Sequence, residues 1–124
     1  MKRKILSVDD SAIARLMIKN GVEAMGYKLL EAADGHEGLA VLAKNSEEIA
    51  LILLDWSMPG MNGLEFLSIA KADARYRDIP VMVVTTESEK ASIIKAVQLG
   101  AVNYLLKPFD QEQLKKKITA CLKL

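Results

Sequence analysis

The sequence predicts an α/β fold in which five parallel strands form one doubly wound sheet with helices on both faces. Five short aliphatic runs alternate with longer segments of helical periodicity, and this alternation is typical of βα units. The predicted strands are residues 4–8, 27–30, 49–54, 81–84 and 102–106. The runs at 49–54 and 81–84 lack polar alternation, as expected for strands that are buried on both faces.

Four of the five predicted helices begin with a capping signal, an oxygen-bearing side chain followed three residues later by Glu or Gln. The pairs are Asp34 with Glu37, Asn62 with Glu65, Thr86 with Glu89, and Asp110 with Gln113. Phe109 precedes the last pair and is placed to pack against Leu114. Asn20 and Gly21 fall inside the first predicted helix and weaken the prediction that it is continuous.

Composition indicates one globular domain spanning residues 1–124. Hydrophobic residues make up 51% of the 124 residues, which is enough for a single substantial core. The longest apolar runs reach about half of the roughly 20 residues that a membrane span needs. A net charge of +1 gives no case for a nucleic-acid surface. The single cysteine, Cys121, fits a reducing compartment, so we expect a cytoplasmic protein.

Five polar side chains stand where predicted strands end. Asp9 and Asp10 follow the first strand, Asp55 the third, Thr85 the fourth and Lys107 the fifth. Ligands of an open parallel sheet bind outside the carboxyl ends of its strands. The first and third strands are neighbours in the flavodoxin-like order 2-1-3-4-5, so we expect the three carboxylates to lie together.

Such a cluster of carboxylates requires a compensating charge. Two like charges about 4 Å apart repel by about 4 kcal/mol at an effective dielectric constant of 20. Without a second histidine or cysteine, oxygen ligands dominate, and so few carboxylates suit a partly hydrated Mg²⁺ better than a caged Ca²⁺. The alternative interpretation is helix capping, which fits Asp10 or Ser11. It fits Asp55 poorly, because Asn62 already caps the third helix.

Four blocks follow one another at these strand ends. They are VDDS at 8–11, LDWSMPGMNG at 54–63, VTTE at 84–87, and the segment from Gly100-Ala101 through Tyr104 to Lys107-Pro108-Phe109. In these blocks the chain resembles response-regulator receiver domains, specifically the single-domain CheY type, over essentially its whole length. The resemblance implies a monomeric receiver with no fused output domain.

The resemblance further implies a phosphoryl-accepting switch rather than an enzyme. Asp55 would accept the phosphoryl group from a phosphohistidine on a sensor histidine kinase or phosphotransfer protein. The implied ligands of Mg²⁺ are Asp9, Asp10, Asp55 and the backbone carbonyl of Ser57. Arg15 and Lys19 on the first helix could face the phosphotransfer domain.

Three other residues have implied roles in switching. Thr85 and Lys107 would bind the phosphoryl group, the Lys107–Pro108 peptide bond would be cis, and Tyr104 would move inward. The fourth helix, fifth strand and fifth helix would then form the surface for an unidentified downstream protein, as in chemotaxis. The alternative is a stand-alone phosphorelay intermediate or a kinase regulator.

Two other classes of protein also place a ligand at this edge of a sheet. A haloacid-dehalogenase-type phosphatase uses a strand-end Asp and Mg²⁺, but it needs a second Asp where this chain has Ser57. A flavodoxin-like carrier needs a phosphate-cradling loop after the first strand. Here Asp9 and Asp10 would repel a phosphate in the absence of a metal.

Overall fold

A computed structural model describes residues 2–86 and 90–123. The strands are β1 Lys4–Val8, β2 Lys28–Ala32, β3 Ile49–Leu54, β4 Val81–Thr85 and β5 Asn103–Leu106. The helices are α1 Ala12–Ala24, α2 Gly35–Asn45, α3 Gly63–Ala72, α4 Lys90–Gln98 and α5 Gln111–Leu122, with a short 3₁₀ turn at Ser46–Glu48. All five strands are parallel and pair in the order β2-β1-β3-β4-β5. The predicted fold class is confirmed.

The sheet separates two hydrophobic cores because successive strand residues point to opposite faces. On β3, Ile52 and Leu54 join the core that includes Leu42 of α2 and Phe66 of α3. Leu51 and Leu53 of the same strand join the core formed with α1 and α5, whose members include Ile18, Val22, Leu114 and Ile118. A strand buried on both faces therefore delivers the residue that follows it, Asp55, to the edge of the sheet.

Capping occurs at three of the predicted helix starts. Asn62 and Asp110 each form a complete capping box with the residue three positions later. Asp34 caps α2 by accepting a hydrogen bond of 2.8 Å from the backbone N–H of Glu37. The fourth predicted pair includes Glu89, which lies outside the described residues, as does Glu87 of the quoted VTTE block.

Helix α1 is continuous through Asn20 and Gly21. The reason for the glycine lies in tertiary packing, because a Cβ atom at Gly21 would lie 2.5 Å from Oε1 of Gln111 and 2.7 Å from Cδ2 of Leu114. The side chain of Gln111 in turn donates a hydrogen bond of 3.0 Å to the carbonyl of Met17. Gly21 therefore permits the close approach of α5 to α1.

The strand ends differ slightly from the prediction. β2 runs two residues further, because Ala32 pairs with Val8 of β1. β5 begins at Asn103 rather than Val102, whose side chain is 54% exposed. In the part of the chain that the structure describes, no helix is both long and apolar enough to cross a membrane.

Candidate functional site

The three predicted carboxylates meet at the carboxyl end of the sheet. β1 and β3 pair with Val8 opposite Leu54, so the next residues, Asp9 and Asp55, are neighbours. Carboxylate oxygens of Asp9, Asp10 and Asp55 all lie within 4.8 Å of one another. Asp9 is 1% exposed and Asp55 5% exposed, whereas Asp10 faces solvent. Two buried carboxylates and one accessible carboxylate thus form a single cluster.

Lys107 supplies part of the compensating charge. Its Nζ lies 2.7 Å from Oδ2 of Asp9 and 3.6 Å from Oδ2 of Asp55. The backbone N–H of Lys107 donates to the carbonyl of Thr85 at 2.9 Å, which ties the end of β5 to the end of β4. The Lys107–Pro108 peptide bond is cis. One ammonium group beside three carboxylates leaves an excess of negative charge when all of them are ionised.

Burial has the largest effect on the pKa of Asp55, the candidate phosphoryl acceptor. It raises the pKa of Asp55 above its ordinary value, and the nearby charge of Asp9 raises the pKa further. Lys107, the hydroxyl of Thr85 and the backbone N–H of Ser57 act in the opposite direction without cancelling the rise. Thr85 is fully buried, and the N–H of Ser57 lies 3.3 Å from Oδ1 of Asp55. Additional positive charge at this position would favour the ionised carboxylate.

The loop after β3 is held against the first turn of α3. The backbone N–H of Gly63 donates to the carbonyl of Trp56 at 3.0 Å. A Cβ atom at Gly63 would lie 2.7 Å from both the carbonyl oxygen of Asp55 and the Cα of Trp56. Gly63 therefore allows α3 to begin in contact with the backbone of the acceptor candidate. Sequence reasoning missed this role, although a glycine directly after a capping Asn was visible.

Arg15 makes two contacts that the sequence did not suggest. Its guanidinium donates to the backbone carbonyl of Asp9 and lies 3.1 Å from Oε1 of Glu31. Only Lys19, of the two predicted cations on α1, is exposed. A cation engaged with a backbone carbonyl leaves no direct signal in a sequence, which explains why the role of Arg15 was missed.

The structure places Tyr104 on β5 and Ser57 in the loop after β3. Tyr104 is half-buried on β5, in register with Val83 of β4, and packs against the core on the α2–α3 face. Ser57 is exposed, two residues after Asp55.

The donor set is compatible with Mg²⁺. All three clustered side chains offer carboxylate oxygens, the hard ligands that this ion prefers. The exposure of Asp10 leaves room for the water molecules that Mg²⁺ usually retains.

Comparison with known proteins agrees with this geometry. A family model for the response regulator receiver domain matches residues 5–119, so the chain belongs to the receiver-domain family. Within that family it is similar to chemotaxis proteins. It is 43% identical over 116 residues to a chemotaxis protein CheY homolog of Campylobacter jejuni, covering 93% of this chain and 88% of the relative. It is 42% identical over 120 residues to chemotaxis protein CheY1 of Helicobacter pylori, covering 96% of each.

The solved structures show the same relationship. The structure of chemotaxis response regulator CheY4 of Vibrio cholerae superimposes with a TM-score of 0.90 at 34% identity, covering 98% of this chain and all of that one. A response regulator from Thermotoga maritima gives a TM-score of 0.88 at 27% identity, with both chains fully covered. The chain is thus a receiver domain that is similar in sequence and structure to CheY proteins.

Proposed function

We propose that Asp55 accepts a phosphoryl group from a phosphohistidine on a sensor histidine kinase or phosphotransfer protein, in a reaction that requires Mg²⁺. The observation that carries this proposal is the meeting of Asp9, Asp10 and Asp55 beside Lys107 and Thr85 at the ends of neighbouring strands. Phosphoryl transfer depends mainly on positioning and on charge stabilisation. This edge of the sheet offers both.

Asp55 would act as the nucleophile. One of its carboxylate oxygens attacks phosphorus, the P–N bond breaks, and the electron pair of that bond stays on the imidazole nitrogen. Lys107 and the hydroxyl of Thr85 oppose the rise in the pKa of Asp55 and so favour the ionised, nucleophilic carboxylate. The bond forms at the sheet edge, where Asp55 is held by hydrogen bonds rather than left mobile.

The residues that would hold Mg²⁺ are Asp10, Asp55, Asp9 and the backbone carbonyl of Ser57. When bound, the ion supplies charge neutralisation to the transferred phosphoryl oxygens. Asp10 is the most accessible of the carboxylates, which suits a direct ligand. Asp9 already pairs with Lys107 and accepts a hydrogen bond of 2.9 Å from the backbone N–H of Ser11. It would therefore contact the ion either directly or through a water molecule.

Thr85 and Lys107 would convert the new charge into a conformational change. Lys107 pairs with phosphoryl oxygens as a point charge, and the hydroxyl of Thr85 turns from Asp55 to the phosphoryl group. Thr85 is paired with Leu106 of β5, two residues after Tyr104, so its displacement reaches the strand that carries the tyrosine. Moving a 1:99 equilibrium to 99:1 takes about 5.5 kcal/mol, which a dianionic group held by Thr85, Lys107 and Mg²⁺ is well placed to provide.

The surface formed by α4, β5 and α5 is the proposed binding site for a downstream protein. Large apolar side chains are exposed on its first two elements and the segment between them, namely Ile94, Val97, Val102 and Leu106. Similarity to chemotaxis proteins favours a partner in a chemotaxis-type pathway. We propose that the receiver acts in the cytoplasm, as a monomer and as a switch rather than an enzyme.

Phosphorylation by acetyl phosphate tests the proposal. The wild type should gain one hydroxylamine-sensitive phosphate per chain, only when Mg²⁺ is present, and Asp55→Asn should gain none. Asp34→Asn is the matched control, because Asp34 only caps α2 and should leave labelling unchanged. Labelling of Asp55→Asn would contradict the assignment, and sustained turnover of a phosphate ester would favour the phosphatase.

Thr85→Ala separates phosphorylation from switching. We expect the variant to accept phosphate at nearly the wild-type level but to show a reduced response to beryllofluoride, a stable mimic of the phosphorylated state. The response can be followed by the NMR signals of Tyr104. An equal response in both proteins would refute the role of Thr85. A pull-down with and without beryllofluoride would then identify the partner and distinguish an output switch from a phosphorelay intermediate.

A further inference from the structure

All of the polar groups of Asp9 are engaged by the chain itself. Its backbone N–H donates to the carbonyl of Ala32 at 2.9 Å. Its Oδ1 accepts from the backbone N–H of Ser11 at 2.9 Å, and its Oδ2 accepts from Lys107 at 2.7 Å. Its carbonyl oxygen accepts from the guanidinium of Arg15. Asp9 is thus fixed on every side, with Arg15 holding the backbone.

The contact between Arg15 and the Asp9 carbonyl restricts where the side chain of Asp10 points. The carbonyl of Asp9 and the N–H of Asp10 belong to one planar peptide group. Fixing the carbonyl therefore fixes the plane and restricts the direction of the Cα–Cβ bond of Asp10. Asp10 is the exposed member of the cluster, in contrast to the buried Asp9 and Asp55.

Arg15 is itself oriented by Glu31. Nε of Arg15 lies 3.1 Å from Oε1 of Glu31, which is the residue before the last on β2 and is paired in register with Ser7. The side chain of Arg15 is only 17% exposed, whereas that of Glu31 is 42% exposed. An ion pair this accessible adds little stability of its own. Its geometry is what matters, because a guanidinium presents several donors in one rigid plane and can serve a carboxylate and a carbonyl together.

We propose that Arg15, oriented by Glu31, is a positioning residue that sets the affinity of the site for Mg²⁺ through the Asp9–Asp10 peptide. This inference rests on the proposed Mg²⁺ dependence of the site. It assigns a role within the site to a residue that the sequence alone suggested for a partner surface. Groups that orient metal ligands typically change affinity by about 10–100-fold when they are removed.

A purely electrostatic role for Arg15 predicts the opposite result. A cation beside a cation site repels Mg²⁺, so on that view Arg15→Gln would tighten binding and Arg15→Lys would leave it unchanged. Positioning predicts that both variants weaken binding, because Lys keeps the charge but not the planar set of donors. The two roles therefore differ in the sign of the effect.

The experiment is a Mg²⁺ titration of the full chain, followed by calorimetry and by the fluorescence of Trp56. We expect Arg15→Gln and Arg15→Lys to bind about tenfold more weakly than the wild type and Glu31→Gln to bind severalfold more weakly. Lys19→Gln, which removes an exposed cation from the same helix, should stay within about twofold. Thermal unfolding without metal identifies any variant that is not folded at the titration temperature, and Glu31→Gln is the mildest of the three.

Unchanged binding by Arg15→Lys, or tighter binding by Arg15→Gln, would overturn the positioning role. Failure of the wild type to bind Mg²⁺ would instead overturn the proposed function on which it rests. Weaker binding by Lys19→Gln equal to that of Arg15→Gln would also count against positioning, because it is Arg15 that donates to the Asp9 carbonyl whereas Lys19 is an exposed cation.

Discussion

Ser7 offers a direct test of the packing beneath the site. Its side chain is 0% exposed, and its hydroxyl has no hydrogen-bond partner among the residues that the structure describes. A buried hydroxyl without a partner costs about 1–3 kcal/mol. Ser7→Ala removes this cost and leaves a gap the size of one oxygen atom, which offsets part of the gain. We expect a net stabilisation of about 1 kcal/mol.

The expected change in melting temperature follows from chain length. With an unfolding entropy of about 2.1 cal/mol/K per residue, a chain of 124 residues unfolds with about 0.26 kcal/mol/K. A gain of about 1 kcal/mol therefore raises the Tm by about 4 °C. Thermal and urea denaturation of the metal-free protein would measure both quantities.

Ser68→Ala is the matched control. The hydroxyl of Ser68 donates to the carbonyl of Leu64 at 2.9 Å on the exposed face of α3, so its removal should change stability by less than about 0.5 kcal/mol. A lower Tm for Ser7→Ala than for the wild type would refute the reasoning, because it would mean that the hydroxyl of Ser7 makes a favourable contact. The serine lies two residues before Asp9, and its removal should leave Mg²⁺ affinity unchanged.

Three further predictions concern the site. Lys107→Met should tighten Mg²⁺ binding about tenfold in calorimetry, because Nζ lies 2.7 Å from a carboxylate oxygen of Asp9 and repels a second cation; unchanged binding would contradict this. The raised pKa of Asp55 means that the folded protein binds the carboxyl proton more tightly than the unfolded chain does. Above the raised pKa, the ionised carboxylate therefore lowers the free energy of unfolding. This loss of stability disappears as the pH falls towards the ordinary value of 3.8. Asp55→Asn should therefore raise the Tm in metal-free buffer at neutral pH but not near pH 3.8, and an equal gain at both pH values would exclude this cause. Gly63→Ala should lower stability by roughly 1–3 kcal/mol and weaken Mg²⁺ binding, because its methyl group would displace the backbone of Asp55 and Trp56; a variant that matches the wild type in melting and titration would show that the loop adjusts freely.

Sequence reasoning located the elements of the fold because each carries a local signal. β1 and β3 have the bounds that were predicted. The unbroken aliphatic run of β3 marks a strand buried on both faces, and β1 is a short, mostly aliphatic run that ends at the Asp9–Asp10 pair. β2 was predicted two residues short, because Glu31 interrupts its apolar pattern. That strand lies at the edge of the sheet, where β1 provides its pairing. Pairing with a neighbour thus extended a strand that local hydrophobicity alone would have ended.

Contacts that neither a motif nor a strand end marks are what the sequence could not predict. Gly21 looked like a weakness in α1, yet a Cβ atom there would lie 2.5 Å and 2.7 Å from side-chain atoms of Gln111 and Leu114 of α5. Arg15 looked like a surface cation, yet it binds a main-chain oxygen of Asp9. Every residue has a backbone carbonyl, so the pattern of side chains in a sequence does not show which carbonyl a cationic side chain will bind. Such contacts emerge only once the elements have packed.

The three carboxylates have different environments, and the same contacts explain how they differ. Asp9 is buried and saturated, so it is the fixed member of the cluster. Asp55 is buried but has a raised pKa, so its negative charge is incompletely compensated. A cation or a new covalent group should therefore change the electrostatics of Asp55 more than those of the other two carboxylates. Asp10 alone faces solvent, where an incoming hydrated ion meets it first. Since Arg15 holds the peptide between the fixed and the accessible carboxylate, weakening that one contact should affect metal affinity more than it affects the stability of the fold.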